Sequence, residues 1–569
     1  MIVLGISCFY HDSAICIMKD GEILFAGEEE RFSRLKHDSQ FPSLALRAGL
    51  DHCKIEADEI DKVIFYEKPF LTYERIFETI MELAPRSFSL FYDSLSKIIK
   101  NKLFIKSTLK KHLRKTLKNE DYVIEFCEHH YSHALSAFIP SEFEEAAILC
   151  IDGVGEWDTT TVWHGKDGVI SKKYSINYPH SIGLFYSLFT EYCGFKANSG
   201  EYKMMGLAPY GEPIYVDIIK DNFIKVHEDG SIRLNTQNIS ADFRSDLVMS
   251  SLDKILGSKK RDSEDISQFY KDIASSVQQI CEEVVEKMII FALDKCNSKR
   301  ICLAGGVALN CVANGKIAKK IGAENIWIQP AAGDNGGAIG AAMSGWNMKI
   351  SNFRPTLGTQ YSSEKIKNII DSKSLKYQEA SVDLIVNDII NKKVVAIFQG
   401  RMEFGPRALG NRSIIAKSTE PSMKALLNEK IKKREGFRPF APIVLEKNMG
   451  KLFKDAYKSP FMLFTQYSIG NIYSATTHVD GSSRVQSVSE ENGLVFDILN
   501  EYESRTTEQA LVNTSFNIRG EPIVESPQNA LDCFFDSGID SLCLGDFYIR
   551  KSDNNKDFIF FESREFLKD

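Results

Sequence analysis

One pattern occurs twice in this chain and constrains its fold more than any other feature: strand, small polar turn, strand, tight hairpin, strand. The first copy spans residues 2–27, with His11 and Asp12 in the polar turn and Asp20-Gly21 at the hairpin. The second spans residues 146–175. It runs through the apolar segment Ala146 to Ile151, the turn Asp152-Gly153-Val154-Gly155, the strand Thr159 to Trp163 and a hairpin at Lys166-Asp167-Gly168. Asp-Gly suits two-residue turns in which both central residues take positive φ, the geometry that matches the twist of paired strands. A unit used twice predicts two related lobes whose polar loops face each other across a cleft.

That arrangement is similar to the actin-like ATPase fold, in which paired hairpin loops hold nucleotide phosphates. Two glycine-rich segments, Ile301 to Asn310 and Gly333 to Ala342, read as strand-to-helix turns. Glycine there allows close approach of a ligand, and a helix N-terminus favours phosphate. Tight helix–strand packing accounts for the same glycines equally well. Neither segment matches a Walker loop or GxGxxG, which disfavours P-loop kinases and Rossmann dehydrogenases. A chain of 569 residues is long enough for two to four domains. The helical pattern stops in the Pro-Gly-polar stretch from Ser351 to Ser363, so the expected domains are 1–352 and 353–569.

Composition narrows the function classes. The net charge is -7, with acids and bases mixed, which argues against a nucleic-acid binder. Twelve cysteines show no CxxC pair; Cys8, Cys150 and Cys302 lie in apolar runs, as reduced core residues do. With no basic n-region before His11 and no bilayer-length apolar run, a cytoplasmic protein without membrane insertion is expected. The basic residues from Lys97 to Lys118 form either a solvated helix face or a contact for an anionic acceptor or membrane surface.

Candidate metal ligands stand out. His129 and His133, spaced i, i+4, share one face of a helix and can share one ion. Asp152 follows an apolar strand, and Asp334 lies among glycines. Two His and two Asp suit iron(II), manganese or zinc. His130 occupies the place of the glutamate in HExxH, so peptide hydrolysis is disfavoured.

The second half carries cations on constrained loops. Arg401, Arg407 and Arg412 lie among glycines and a proline; Lys430, Lys432, Lys433, Arg434 and Arg438 follow, and Val512 to Asn517 adds hydroxyls and amides. Rigidly held guanidinium groups suit phosphate or carboxylate recognition. Surface ion pairs and ordinary turns are the alternative.

Ten blocks in order carry a family resemblance: HDSA at His11–Ala14, ERFSRLKHD at Glu30–Asp38, HHYSHA, DGVGEW, GEYKMMGLAPYG at Gly200–Gly211, GGVALN, GDNGGAIGAA, EFGPRALGNRSI, KKREGFRPFAP and NTSFN. The chain resembles the O-carbamoyltransferases of the nodulation-factor, cephamycin and tobramycin type. The resemblance implies an α/β chain: a two-lobed actin-like domain with a metal, Fe2+ or another divalent ion, and an α+β YrdC-like domain. It implies that carbamoyl phosphate is cleaved in the second domain and that carbamate attacks ATP, present with Mg2+, to give carbamoyl-adenylate. A hydroxyl-bearing acceptor then takes the carbamoyl group in the first domain.

By the same resemblance Arg407, Lys432 and Arg438 neutralise the anions in the second domain, with Ser515 as a polar contact. His11 is the candidate general base, and Lys36 neutralises phosphate nearby. Asp12, Gly153, Gly155, Glu201, Lys203 and Gly206 belong to nucleotide-contacting blocks, and Gly305, Gly306, Asn310 and Gly336 line an adenosine pocket. Three other readings compete: a tRNA threonylcarbamoyl-adenosine synthase, a non-catalytic nucleotide-binding regulator and a sugar kinase. The residues name neither the acceptor nor the oligomeric state, a homodimer being one option.

Overall fold

A computed structural model describes residues 1–82, 104–118, 122–239, 246–262, 265–346, 349–350, 352–470 and 473–554. The chain forms two compact units. The first comprises Met1–Glu29, His37–Ala313 and Glu324–Arg354, and the second Glu30–Lys36, Asn314–Ala323 and Pro355–Asp569. Each unit is thus discontinuous in sequence, unlike the two linear segments expected.

The first unit holds two five-stranded sheets of the same topology. One is ordered Glu22–Glu28, Ala14–Lys19, Ile2–Ser7, Lys62–Phe65, Val123–Phe126; the other Val169–Asn177, Asp158–Lys166, Glu145–Ile151, Ile301–Ala304, Ile326–Ile328. In each, the first three strands are antiparallel and the last two join in parallel. The hairpins explain the antiparallel half: Asp20 and Gly21 have φ of 51° and 88°, Asp167 and Gly168 φ of 50° and 80°. The central strand Ile2–Ser7 is buried along its whole length, as a strand covered on both faces must be. This duplicated topology is the two-lobed actin-like arrangement.

One helix ties the lobes' central elements together. Asp334–Met343 is buried throughout and runs through small residues. A Cβ on Gly340 would lie 1.7 Å from the Ser132 carbonyl oxygen, and one on Gly5 2.0 Å from that of Ala338. Those contacts bring backbones together where no side chain fits. Gly340→Ala is therefore expected to cost about 3 kcal/mol, read as a fall in the urea midpoint. An unchanged midpoint would show that the two helices separate freely.

The described residues cover part of the basic stretch. Ile105–Leu117 is a helix that buries Ile105, Leu109 and Leu113, while Lys106, Lys111, Arg114 and Lys115 are exposed. That is a solvated face; Lys97, Lys100 and Lys102 lie outside the described residues. Eleven of the twelve cysteines are buried. Among the described residues no helix is long and apolar enough to cross a membrane.

The second unit is α+β. Its mixed eight-stranded sheet is ordered Gln378–Glu379, Phe547–Arg550, Ser541–Leu544, Val395–Phe398, Arg412–Lys417, Ala510–Ser515, Ala441–Leu445, Gln486–Val488. Alternation along Val395–Phe398 feeds two cores: Ala396 and Phe398 join Ile370, Leu531 and Phe534 on one face, Val395 and Ile397 join Ile389, Ile498 and Tyr502 on the other. Helices cover both faces, which is why Val395–Phe398 reads as an unbroken apolar run.

Candidate functional site

The helix His129–Phe138 follows the strand Val123–Phe126 and presents His129 and His133 one turn apart. Asp152 ends the strand Glu145–Ile151, and Asp334 opens the buried helix described above. The four side chains converge. His129 Nε2 lies 3.0 Å from Asp152 Oδ2 and 3.1 Å from His133 Nε2. His133 Nε2 lies 3.3 Å from Asp152 Oδ2 and 3.7 Å from Asp334 Oδ1. Ligands about 2.1 Å from a shared ion sit about 3.0 Å apart in octahedral and about 3.4 Å apart in tetrahedral coordination. The observed separations suit such an ion. Asp334 Oδ2 and His133 Nδ1 are buried without a hydrogen bond, and two Nε2 atoms point at each other. Both features are costly in a purely structural cluster.

Electrostatics agree with the geometry. Burial alone would lower His133, yet hydrogen bonds to Asp152 and Asp334 push it up to about 9. Burial would raise Asp152, but the two histidines hold it well below the usual carboxylate range. Without an ion, protons supply the positive charge that these carboxylates require.

Two supports of this cluster escaped the sequence reading. Glu156, in the DGVGEW turn, is buried and accepts hydrogen bonds from the backbone N–H groups of His129 (2.9 Å) and Lys68 (2.8 Å). It thereby satisfies the first turn of the helix that carries His129 and His133 and complements its dipole. Glu156→Ala should cost about 2 kcal/mol of stability and weaken metal retention, as urea titration and metal analysis would register. His37 is the second support, with Nδ1 2.7 Å from Asp12 Oδ1. Its signal was present in RLKHD, where the neighbouring Lys36 drew attention instead. Lys36 is exposed and belongs to the second unit.

His11 adjoins the cluster. Its Nδ1 is 3.1 Å from Asp12 Oδ2 and its Nε2 3.7 Å from Asp334 Oδ2. Burial would lower it, but Asp334, Asp12 and Asp152 reverse this and push it up to about 10.

The residues expected around a nucleotide have mixed surroundings. Gly306 donates its N–H to Asp152 Oδ1 (3.2 Å), which links the GGVALN turn to the cluster. A Cβ on Gly155 would come within 2.9 Å of the His130 ring and 3.1 Å of the His129 ring. Gly153 accepts a hydrogen bond from Ser181 (2.7 Å). Packing accounts for Gly305 and Gly336, whose added Cβ atoms would meet the Ile151 and Ala331 carbonyl oxygens at 2.2 and 2.0 Å. Asn310 pairs both amide atoms with Gln278 at 3.1 Å and also accepts from the Ala313 N–H. Glu201 accepts from Ser187 (2.6 Å) and the Asn198 N–H (2.9 Å). Lys203 is buried on the same helix, Glu201–Leu207, that carries Gly206.

In the second unit, Lys432 is buried and its Nζ donates to Asn517 Oδ1 (2.7 Å), the Asn517 carbonyl (3.0 Å), the Ser515 carbonyl (2.5 Å) and Ser515 Oγ (3.2 Å). Arg434 donates to Asn428 Oδ1 (2.8 Å) and stacks on Phe440. Burial, together with repulsion from Arg438, pushes both cations well below their ordinary values. Arg438 itself is part-exposed, 3.9 Å from Glu435. Arg407 is half-buried on a loop organised by Glu403, whose carboxylate accepts the N–H groups of Leu409 and Asn411 at 2.8 Å and of Arg412 at 3.2 Å. Glu403 was not anticipated as a site residue, whereas Arg434 and Asn517 lie in the two segments the sequence singled out.

Two of the loop arginines depart from expectation. Arg412 donates to the carbonyls of Gln399 and Asn411 and lies 3.6 Å from the Phe398 ring; Arg401 donates to those of Gly358 and Leu357. Their guanidinium groups satisfy backbone oxygens and so hold the loop together.

Comparison with known proteins covers both parts of the chain. The family model for the carbamoyltransferase N-terminus matches residues 2–343 and that for the carbamoyltransferase C-terminus matches residues 386–551. An uncharacterized Synechocystis protein, sll1178, is 42% identical over 97% of each chain. Nodulation protein NolNO of Sinorhizobium fredii is 31% identical over 95% of this chain and 79% of its own. Nodulation protein NolO of Bradyrhizobium diazoefficiens is 34% identical over 74% and 78%. Since both models match in order and a relative aligns over nearly its full length, the chain belongs to the carbamoyltransferase family and is an enzyme that transfers carbamoyl groups.

Proposed function

We propose that this enzyme moves the carbamoyl group of carbamoyl phosphate, through carbamoyl-adenylate, to a hydroxyl of a small-molecule or sugar acceptor, with ATP as co-substrate. The observation that carries this reading is the buried Lys432 with the half-buried Arg434, whose side-chain acceptors Ser515, Asn517 and Asn428 are neutral. A cation whose side-chain hydrogen bonds end on neutral groups is poised for an anion. Carbamate and ATP are both anionic and repel each other, so Lys432, Arg434, Arg438 and Arg407 would offset that repulsion as carbamate oxygen attacks the α-phosphorus and pyrophosphate leaves.

The second step belongs to the first unit. A hydroxyl of the acceptor attacks the adenylate's carbonyl carbon, its proton passes to His11 Nε2, and the bond to AMP breaks. His129, His133, Asp152 and Asp334 would hold a divalent ion, Fe2+ by resemblance, which supplies Lewis acidity toward the adenylate. An ion held by Asp152 and Asp334 would offset their part in keeping His11 protonated, which favours His11 as a base.

Mass spectrometry of a mixture of protein, Mg2+-ATP and carbamoyl phosphate tests the first step. Pyrophosphate with carbamoyl-adenylate or AMP is expected, dependent on carbamoyl phosphate. ADP, or ATP turnover indifferent to carbamoyl phosphate, would sink it.

A further inference from the structure

Three residues outside glycine adopt positive φ around His11: Phe9 at 74°, Asp12 at 52° and His37 at 56°. Such conformations cost energy and persist only where the surroundings enforce them. Here two backbone hydrogen bonds do so: Phe9 N–H donates to the Ser39 carbonyl and Ser13 N–H to the Asp38 carbonyl, both at 2.9 Å. They lock the loop bearing His11 and Asp12 onto the loop bearing His37. Within this frame Asp12 spans two imidazoles, Oδ1 facing His37 Nδ1 at 2.7 Å and Oδ2 facing His11 Nδ1 at 3.1 Å.

A carboxylate only accepts, so both Nδ1 atoms carry the hydrogen. In its neutral form His11 is then left with a lone pair on Nε2, the atom on the Asp334 side of its ring. The Tyr10 ring, 4.5 Å away centroid to centroid, limits rotation on another side. We propose that His37 is a positioning residue: by fixing Asp12, it holds His11 in the tautomer and orientation whose Nε2 accepts the acceptor's proton. The logic is that of a carboxylate which orients a histidine base without itself exchanging the proton. The proposal rests on His11 being the general base, and the test separates the two.

Glycerol serves as probe hydroxyl, with transfer followed in metal-loaded protein supplied with ATP and carbamoyl phosphate. His37→Ala and Asp12→Asn should lower kcat at least about tenfold with KM for glycerol changed less than about twofold. Asp12→Asn acts by presenting an N–H to an imidazole and so favouring the wrong tautomer. His37→Asn, whose amide nitrogen overlays Nδ1, should recover kcat to within about threefold of wild type. Crystal structures of the metal-loaded variants supply a readout independent of turnover: the His11 ring should turn away from Asp334 in His37→Ala and keep its place in His37→Asn. If His11→Asn retains wild-type kcat, the general-base reading falls. If His11→Asn collapses while His37→Ala and Asp12→Asn do not, or if the ring is unmoved in His37→Ala, the general base stands and the positioning role is overturned.

Discussion

Alanine in place of His133 is expected to strip the metal from the cluster and to lower carbamoyl transfer by about 10³-fold or more, while carbamoyl-phosphate-dependent pyrophosphate release continues. His133 Nε2 contacts His129, Asp152 and Asp334 at once, so no remaining side chain can replace it. Metal analysis of the purified variant gives the first readout and the two half-reactions the second. Loss of both half-reactions together would instead indicate general unfolding. Metal retained at wild-type stoichiometry would remove His133 from the ligand set.

The same residue predicts a pH dependence. In metal-free protein His133 is pushed up to about 9 from an ordinary 6.5. Folding thus favours its protonated form, which adds stability below about pH 6.5 that is lost as pH rises through about 9. An incoming metal ion must displace that proton. Apparent metal affinity should therefore climb with pH, up to about tenfold per unit for each proton released, and level off near 9. Competition titrations at pH 7, 8 and 9 check the slope.

Lys432→Met carries the second large effect. Pyrophosphate release driven by carbamoyl phosphate should fall by about 10²-fold or more, and stability by about 3 kcal/mol. Both losses come from one atom. Nζ orients Ser515 and Asn517 through four oxygens, and methionine fills the space without a donor. Arginine is no conservative substitute at a site this buried, because its planar fork needs more room. Urea unfolding and a pyrophosphate assay on the same sample distinguish the roles. Reduced stability with unchanged pyrophosphate release would make Lys432 a structural clamp and exclude it from the anion site.

Much of the first unit was readable from residue order because its signals are local. Asp-Gly turns specify positive φ at two adjacent positions whatever surrounds them, and an i, i+4 histidine pair shares a face on any helix. His129, His133, Asp152 and Asp334 were legible for that reason. The loop arginines were not. A guanidinium among glycines looks the same whether it meets phosphate or backbone carbonyls, and only the folded chain places the oxygens of Leu357, Gly358 and Gln399 against Arg401 and Arg412. Glu156 and His37 were missed for a related reason: each acts on a group more than twenty positions away, His129 and Asp12, to which no spacing rule points.

Sequence by itself therefore determined the duplicated lobes, the two His and two Asp that the fold brings together and the presence of cations on the second-unit loops, since turn geometry and helical periodicity operate over a few residues. The tertiary structure alone decided which of these charges are engaged by backbone carbonyls and hold the scaffold. That choice depends on hydrogen-bond partners brought together by burial, and a buried donor takes whichever acceptor the fold supplies.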